Sequence, residues 1–202
     1  MNRVKKITGV VLATGLFMAS AAAQAAFSDQ TDRAFGGVQA CGGNHFNRMG
    51  GKETHNTRYI LRNYGDTPIR IEQLTVYAAD GSELFSANGA TLPTFSNGVL
   101  GAGDNVLNPN ETARLATEDF LSPLPPTMRP ISMKVQWAAD SRTLIPDFVW
   151  VRNTLRREQI GVNPSTGAPI FKNRETLGRH LNNCRSVVVN KGRGHDRDHD
   201  DD

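Results

Sequence analysis

The sequence lacks the local motifs by which most enzymes are identified. No Gly-x-Ser-x-Gly nucleophile elbow occurs, and no glycine-rich phosphate loop follows a strand and opens a helix. Neighbouring carboxylates such as Glu118 and Asp119 lie beside turn signals, where aspartate serves turn formation. We therefore predict no catalytic residue from motifs, and the sequence leans towards a protein that is not an enzyme.

The chain also lacks excess charge once its N-terminus is set aside. The formal net charge of the 202 residues is +3. Residues 1–25 contain Arg3, Lys5 and Lys6 and no acidic residue, so the rest of the chain has a formal net charge of zero. Nucleic-acid binding depends on a concentrated basic patch that neutralises phosphates. The sequence therefore predicts no nucleic-acid partner.

Long hydrophobic runs are missing as well. The one apolar run, Ile7 to Met18, is interrupted by Thr and Gly and is too short to span a bilayer. Basic residues precede it, and the small residues Ala23 and Ala25 follow it, which is the order of a secretory signal peptide cleaved before Ala26. A membrane anchor that is never removed is the alternative. Cleavage would leave no transmembrane segment and a periplasmic or secreted protein.

Cysteine is scarce, with only Cys41 and Cys184 in the chain. Export would place both in a compartment where disulfides persist, so the sequence predicts a bond between them. Two free thiols are the alternative. A catalytic thiol would need a neighbouring base, and only His45 and His180 lie close in sequence, each four residues from a cysteine.

Alternating apolar residues are the main structural signal. They occupy every second position of residues 131–137, which is typical of a half-buried strand. Ile69 and Ile71 alternate in the same way, and Leu74 and Val76 resume the alternation on the opposite parity, which predicts a β-bulge. Strands separated by turn signals, without an amphipathic helix, predict an all-β fold, an antiparallel β-sandwich.

The same patterns predict four regions after the signal peptide 1–25. Residues 26–56 are rich in Gly and Asn and are expected to form an irregular lead-in, and residues 57–189 form the β-sandwich domain. A long β-hairpin arm is expected near residues 153–176, around turn residues 163–167. Residues 190–202 are rich in His and Asp and are expected to be a disordered tail.

Turn and core residues between positions 57 and 189 carry a resemblance to other proteins. They are Leu100-Gly101, Asn105-Val106-Leu107, Pro109, Thr112, Thr117, Asp119, Val135, Trp137 and Cys184-Arg185. In these residues the chain resembles uncharacterised exported bacterial proteins predicted to be immunoglobulin-like β-sandwiches. The resemblance implies an immunoglobulin-like fold and an exported location, and it implies no catalytic or binding residue.

The tail contains the densest group of candidate metal ligands, namely His195, Asp196, Asp198 and His199. Imidazole and carboxylate groups suit divalent metals such as Zn, Ni or Cu. A disordered tail has no second shell to orient its histidines, so binding would be weak. A solvating tail without a ligand is the alternative, and no other cofactor is predicted.

A second candidate site combines an aromatic residue with arginines. Trp150 and Arg152 lie on one parity of a candidate strand, and Arg156 and Arg157 follow. An exposed Trp150 beside Arg152 would mark a binding face. A core tryptophan and a solvated arginine cluster are the alternative.

Three functional hypotheses follow. The first is a non-enzymatic exported β-sandwich that contacts an unknown protein or surface ligand, chiefly through the hairpin arm. The second is a hydrolase or metal-dependent enzyme whose site assembles from residues distant in sequence, such as His45, His55, Asp147 and His180. The third is a metal-handling protein that uses the tail.

Overall fold

The computed structural model describes residues 35–190, which form two antiparallel β-sheets. In chain order the strands are β1 (Phe35–Gly43), β2 (Phe46–Arg48), β3 (Glu53–Arg62), β4 (Ile69–Tyr77), β5 (Glu83–Asn88), β6 (Val106–Leu107), β7 (Thr112–Ala116), β8 (Ile131–Ala139), β9 (Asp147–Val162), β10 (Pro169–Asn183) and β11 (Arg185–Asn190). The helices of this part of the chain are single 3₁₀ turns at Met49–Gly51, Thr117–Asp119 and Pro126–Met128. The predicted all-β fold with antiparallel sheets is confirmed. Between residues 35 and 190 no helix has the length and apolar character needed to cross a membrane.

The chain crosses repeatedly between the two sheets. In the first sheet the strand order is β11-β1-β8-β4-β5, and β6 also pairs with β4. In the second sheet the order is β10-β9-β3-β2, and β7 pairs with β3 further along the edge that β2 occupies. The strands β3 and β4 follow each other in sequence but belong to different sheets, as do β7 and β8. Side chains from both sheets therefore meet in one apolar core.

Strand β4 contains the predicted bulge. Ile71 lies opposite Trp137 and Gln73 lies opposite Gln136, so Glu72 is the extra residue. The bulge changes the parity of the strand, which lets apolar residues before and after it face the same core. These residues are Ile69, Ile71, Leu74 and Val76, all fully buried. The bulge and the burial of the alternating residues in β8, including Trp137, are confirmed.

The region predicted as an irregular lead-in differs from that prediction, because β1, β2 and the start of β3 lie within residues 35–56. Its glycines serve close packing rather than loop flexibility. A Cβ on Gly37 would lie 2.5 Å from the carbonyl oxygen of Val188 in β11. A Cβ on Gly42 would lie 2.8 Å from the ring of Trp150. Strand β1 thus fits tightly between its neighbours only because it lacks side chains at these positions.

The predicted disulfide between Cys41 and Cys184 is confirmed. Cys41 is buried in β1, and Cys184 is the single residue between β10 and β11, where the chain passes from the second sheet to the first. The backbone N–H of Cys184 also donates a hydrogen bond to the carbonyl of Phe148, at 2.8 Å. The bond therefore joins an early strand of the first sheet to the point where the chain re-enters that sheet.

Strands β9 and β10 form a long hairpin closed at the predicted turn, where the N–H of Asn163 donates to the carbonyl of Ala168 at 2.8 Å. Residues 147–156 of β9 also pair with β3. Among the strands of residues 35–190, residues 158–172, which we call the arm tip, pair only with each other. The register of the hairpin shifts three times along its length, which is the signature of β-bulges.

Several predictions fall on residues that the structure does not describe. The signal peptide 1–25 and the first part of the lead-in precede residue 35. The tail, residues 190–202, lies outside the described residues except for Asn190. It contains the candidate metal ligands His195, Asp196, Asp198 and His199. The export signal and the metal-binding tail remain predictions.

Candidate functional site

A pocket of about 280 Å³ lies on the core-facing side of the second sheet. Tyr59 on β3 is fully buried in the core, and Thr57, two residues earlier, lies on the same face of the strand. Arg152 on β9 is the cross-strand partner of both Thr57 and His180, so these side chains share that face. The residues lining the pocket are Asn44, Phe46, Arg48, His55, Arg152, Thr154 and His180. Beyond the end of the apolar core, the same face of the second sheet thus carries mostly polar side chains, and these line the pocket.

His55 is held firmly at the wall of this pocket. Its Nε2 lies 2.6 Å from Oε1 of Glu53, and its Nδ1 lies 3.2 Å from Oγ1 of Thr154. The ring of Phe46, its cross-strand partner on β2, stacks on the imidazole with a centroid separation of 4.3 Å and an interplanar angle of 15°. The guanidinium carbon of Arg129 lies 3.9 Å from the centroid of the Phe46 ring. These contacts fix both rings, so the wall is preorganised.

Some basic side chains of the pocket have an acidic partner in the described part of the chain and others do not. Glu53 contacts two basic neighbours, since its Oε1 lies 2.6 Å from Nε2 of His55 and 4.0 Å from Nη1 of Arg48. Within residues 35–190, no hydrogen bond or ion pair engages the side chain of Arg152 or of His180. Arg152 is half-buried and His180 is exposed. The pocket therefore presents two basic side chains whose donors are available.

The candidate residues Trp150, Arg152, Arg156 and Arg157 do not converge on one site. The indole of Trp150 is half-buried, packs against the core and covers Gly42. Arg152 lines the pocket, whereas Arg156 is exposed and lies across from Glu53 and Glu175 in the sheet. Adjacent residues of a strand point to opposite faces, so Arg157 lies on the other side of β9 from Arg156. The guanidinium carbon of Arg157 lies 6.0 Å from the ring centroid of Phe171.

The four residues of the hydrolase hypothesis are also separated. His55 and His180 line the same pocket, but His45 is buried and its Nδ1 lies 3.1 Å from Oγ1 of Thr117. Burial lowers the pKa of His45 and so favours its neutral form.

Asp147 pairs with Arg62, with 3.2 Å between Oδ2 and Nη1. Along β3, Arg62 is seven residues from His55, a distance of about 23 Å at the rise of a strand. No group of three or more His, Cys, Asp or Glu residues is arranged to hold a metal ion within residues 35–190. The structure therefore does not bring these four residues together in one site.

Sequence reasoning named Arg152 in the binding hypothesis and named His55 and His180 in the hydrolase hypothesis, and it did not place all three in one pocket. They meet because β3, β9 and β10 are adjacent in the second sheet. The turn at residues 163–167 was the signal that β9 and β10 pair. No signal in the sequence specified which residues face each other.

Comparison with family models, curated proteins and solved structures finds no match to this chain. The resemblance to exported bacterial proteins therefore remains a prediction. The functional argument rests on the geometry of the molecule itself.

Proposed function

We propose that the protein is an exported, non-enzymatic binding domain and that the arm tip of the β9–β10 hairpin contacts a protein partner. The observation that carries this proposal is the exposure of apolar side chains on a strand pair that no third strand joins within the described part of the chain. Ile160 is 56% exposed, Val162 53% and Ile170 43%. An isolated two-stranded ribbon is at best marginally stable in water, so coverage by a partner would stabilise it.

The base of the arm tip is anchored to the body of the protein. The backbone N–H of Arg157 donates to the carbonyl of Lys52 at 2.7 Å. The ring of Phe171 packs so closely on Gly51 that a Cβ there would lie 3.2 Å from the ring. An arm that is fixed at its base loses less conformational freedom on binding than a free loop does. This arrangement favours a contact element over a flexible surface hairpin.

Export to the periplasm or the outside of the cell is part of the proposal. It is supported by the signal-peptide pattern of residues 1–25 and by the disulfide, which persists in oxidising compartments.

An immunoglobulin-like classification is also part of the proposal. In that fold strands A, B, E and D form one sheet, and C, F and G form the other. Here β3 and β7 pair as B and E do, and β4 and β8 pair as C and F do. In this comparison β9, which pairs with β3, has the position of strand A beside B, and β1, which pairs with β8, has the position of strand G beside F. The first described strand of the chain thus occupies the place of G, and a late strand occupies the place of A.

The experiment compares the full chain with a variant whose arm tip is shortened. Residues 159–171 are replaced by Asn-Gly, a two-residue hairpin turn, which leaves the Glu158–Lys172 pair in place. Both proteins are used as bait in periplasmic extract, with chemical crosslinking and mass spectrometry of the captured proteins. We expect crosslinks from the partner to map to the arm tip and to disappear in the shortened variant.

A matched control removes exposed apolar groups elsewhere. Tyr64 and Leu144 are 57% and 63% exposed and lie outside the hairpin, so Tyr64→Ser with Leu144→Ser tests whether any loss of apolar surface has the same effect. Retention of the partner by this control and its loss from the shortened variant would support the proposal. An unchanged set of crosslinked partners in the shortened variant, with its unfolding transition intact, would reject it.

A further inference from the structure

The lining of the pocket on the second sheet is strongly biased towards basic residues. Four of its lining residues are basic, namely Arg48, His55, Arg152 and His180, and none is acidic. Glu53 beside the pocket is already engaged by two of them. The guanidinium of Arg152 and the imidazole of His180 are therefore the basic groups that face the pocket without a hydrogen-bond or ion-pair partner among residues 35–190.

The position of these two side chains makes this bias significant. Arg152 and His180 are direct cross-strand partners, so two basic side chains lie side by side at the pocket with no acidic residue opposite either of them in the described strands of the sheet. Two other arginines of the same sheet have acidic cross-strand partners. Arg62 pairs with its cross-strand partner Asp147, and Arg156 lies across from Glu53 and Glu175. An anion in the pocket would supply the counter-charge that Arg152 lacks and an acceptor for an N–H of His180.

The donors around the pocket suit a phosphate group. A guanidinium binds the oxygens of phosphate through two parallel hydrogen bonds, and an imidazole N–H and an amide add further donors. His180 supplies the imidazole, and Asn44, which lines the pocket, supplies the amide. The stacked rings of Phe46 and His55 form a wall beside these donors.

We propose that this pocket binds a phosphate group, held by Arg152 and His180. The volume of about 280 Å³ is close to the lower end for small-molecule sites, which suits a small phosphomonoester. The proposal does not depend on the arm tip, which is formed by the far end of the hairpin. It also requires no chemical step, only binding.

The test is calorimetric titration of the full chain with inorganic phosphate and, separately, with glycerol 3-phosphate. Glycerol alone and sodium chloride at matched ionic strength serve as ligand controls. We expect saturable binding, and Arg152→Gln should weaken it about tenfold or more because a bidentate charged contact is lost. Arg152→Lys keeps the charge without the planar fork and should bind with intermediate affinity.

A second variant and a matched control protect the test from effects on folding. His180→Gln removes an exposed side chain from an edge strand, so it should weaken binding while the unfolding transition is unchanged. Arg114→Gln, on the opposite face of the same sheet, should bind as the natural chain does, since Arg114 lies opposite Ile60 outside the core.

The two ligands distinguish the source of the phosphate. Tighter binding of glycerol 3-phosphate would support a phosphomonoester as the ligand, and equal binding would support free phosphate. No saturable binding up to roughly 10 mM of either probe would overturn the proposal, as would equal weakening by Arg152→Gln and Arg114→Gln.

Discussion

Removal of the disulfide should cost a large part of the stability of this protein. Cys41 and Cys184 are separated by 143 residues, so the bond closes a loop that includes nearly all of the described strands. Loop-closure entropy for that length corresponds to about 5 kcal/mol at 25 °C. Small domains have unfolding free energies of about 5–15 kcal/mol. We therefore expect Cys41→Ala with Cys184→Ala to leave a protein close to its unfolding threshold at room temperature.

The assay is unfolding in urea, followed by tryptophan fluorescence, to which the buried Trp137 and the half-buried Trp150 both contribute. Three samples are compared: the natural chain with its disulfide intact, the natural chain reduced and kept in reductant without alkylation, and the double alanine variant. Reduction opens the loop but keeps both sulfur atoms, so it separates chain constraint from packing. We expect the reduced protein and the double variant to lose similar amounts of unfolding free energy.

Two results would contradict this reasoning. A loss below about 1 kcal/mol in both proteins would mean that the bond does not act through the unfolded chain. A large loss in the alanine variant with little loss on reduction would mean that the sulfur atoms act by filling the core.

Three further predictions concern single residues. The hydroxyl of Tyr59 is buried without a hydrogen-bond partner among the described residues, so Tyr59→Phe should leave the unfolding free energy unchanged or raise it by about 1–2 kcal/mol; a loss above about 1 kcal/mol in urea unfolding would reveal a partner. Burial lowers the pKa of His45 from its ordinary value of 6.5 in the folded protein. The unfolded chain therefore binds this proton more readily, so the free energy of unfolding should be highest above pH 6.5 and should decline as the pH falls below it. Unfolding midpoints between pH 8 and pH 5 should show this decline, and a His45→Gln variant with the same slope as the natural chain would count against it. Gly37→Ala would force a Cβ to within 2.5 Å of the Val188 carbonyl, so it should lower the unfolding free energy by about 1–3 kcal/mol and speed hydrogen exchange in β11; an unchanged exchange rate there would contradict the close packing of the two strands.

Much of the sheet structure follows from local patterns in the sequence. The alternation of residues 131–137 predicted β8, and the parity change between Ile71 and Leu74 predicted the bulge in β4. Strand β1 could not be predicted in this way, because Gly37 and Gly42 disfavour strands in isolation. Its conformation depends on β8 and β11, which lie far away in sequence.

The candidate site depends on register, which the sequence did not reveal. The turn predicted that β9 pairs with β10, and in the structure Val162 lies opposite Pro169. Without bulges, counting outward from that pair would place Arg179 opposite Arg152. The register shifts place His180 there instead. A displacement of one residue moves a side chain to the other face of a sheet, so the pocket could not be inferred from the turn alone.

The path of the chain also sets the order in which the molecule can be completed during synthesis. Cys41 is made 143 residues before Cys184, a delay on the order of 10 s at typical ribosome speeds. Over that interval β1 lacks its partner β11, and the thiol of Cys41 has no mate within the chain. Because the protein contains only two cysteines, the thiol cannot pair wrongly within its own chain. Its competing partners are thiols of other molecules, and the bond can close only after Cys184, between β10 and β11, has been made.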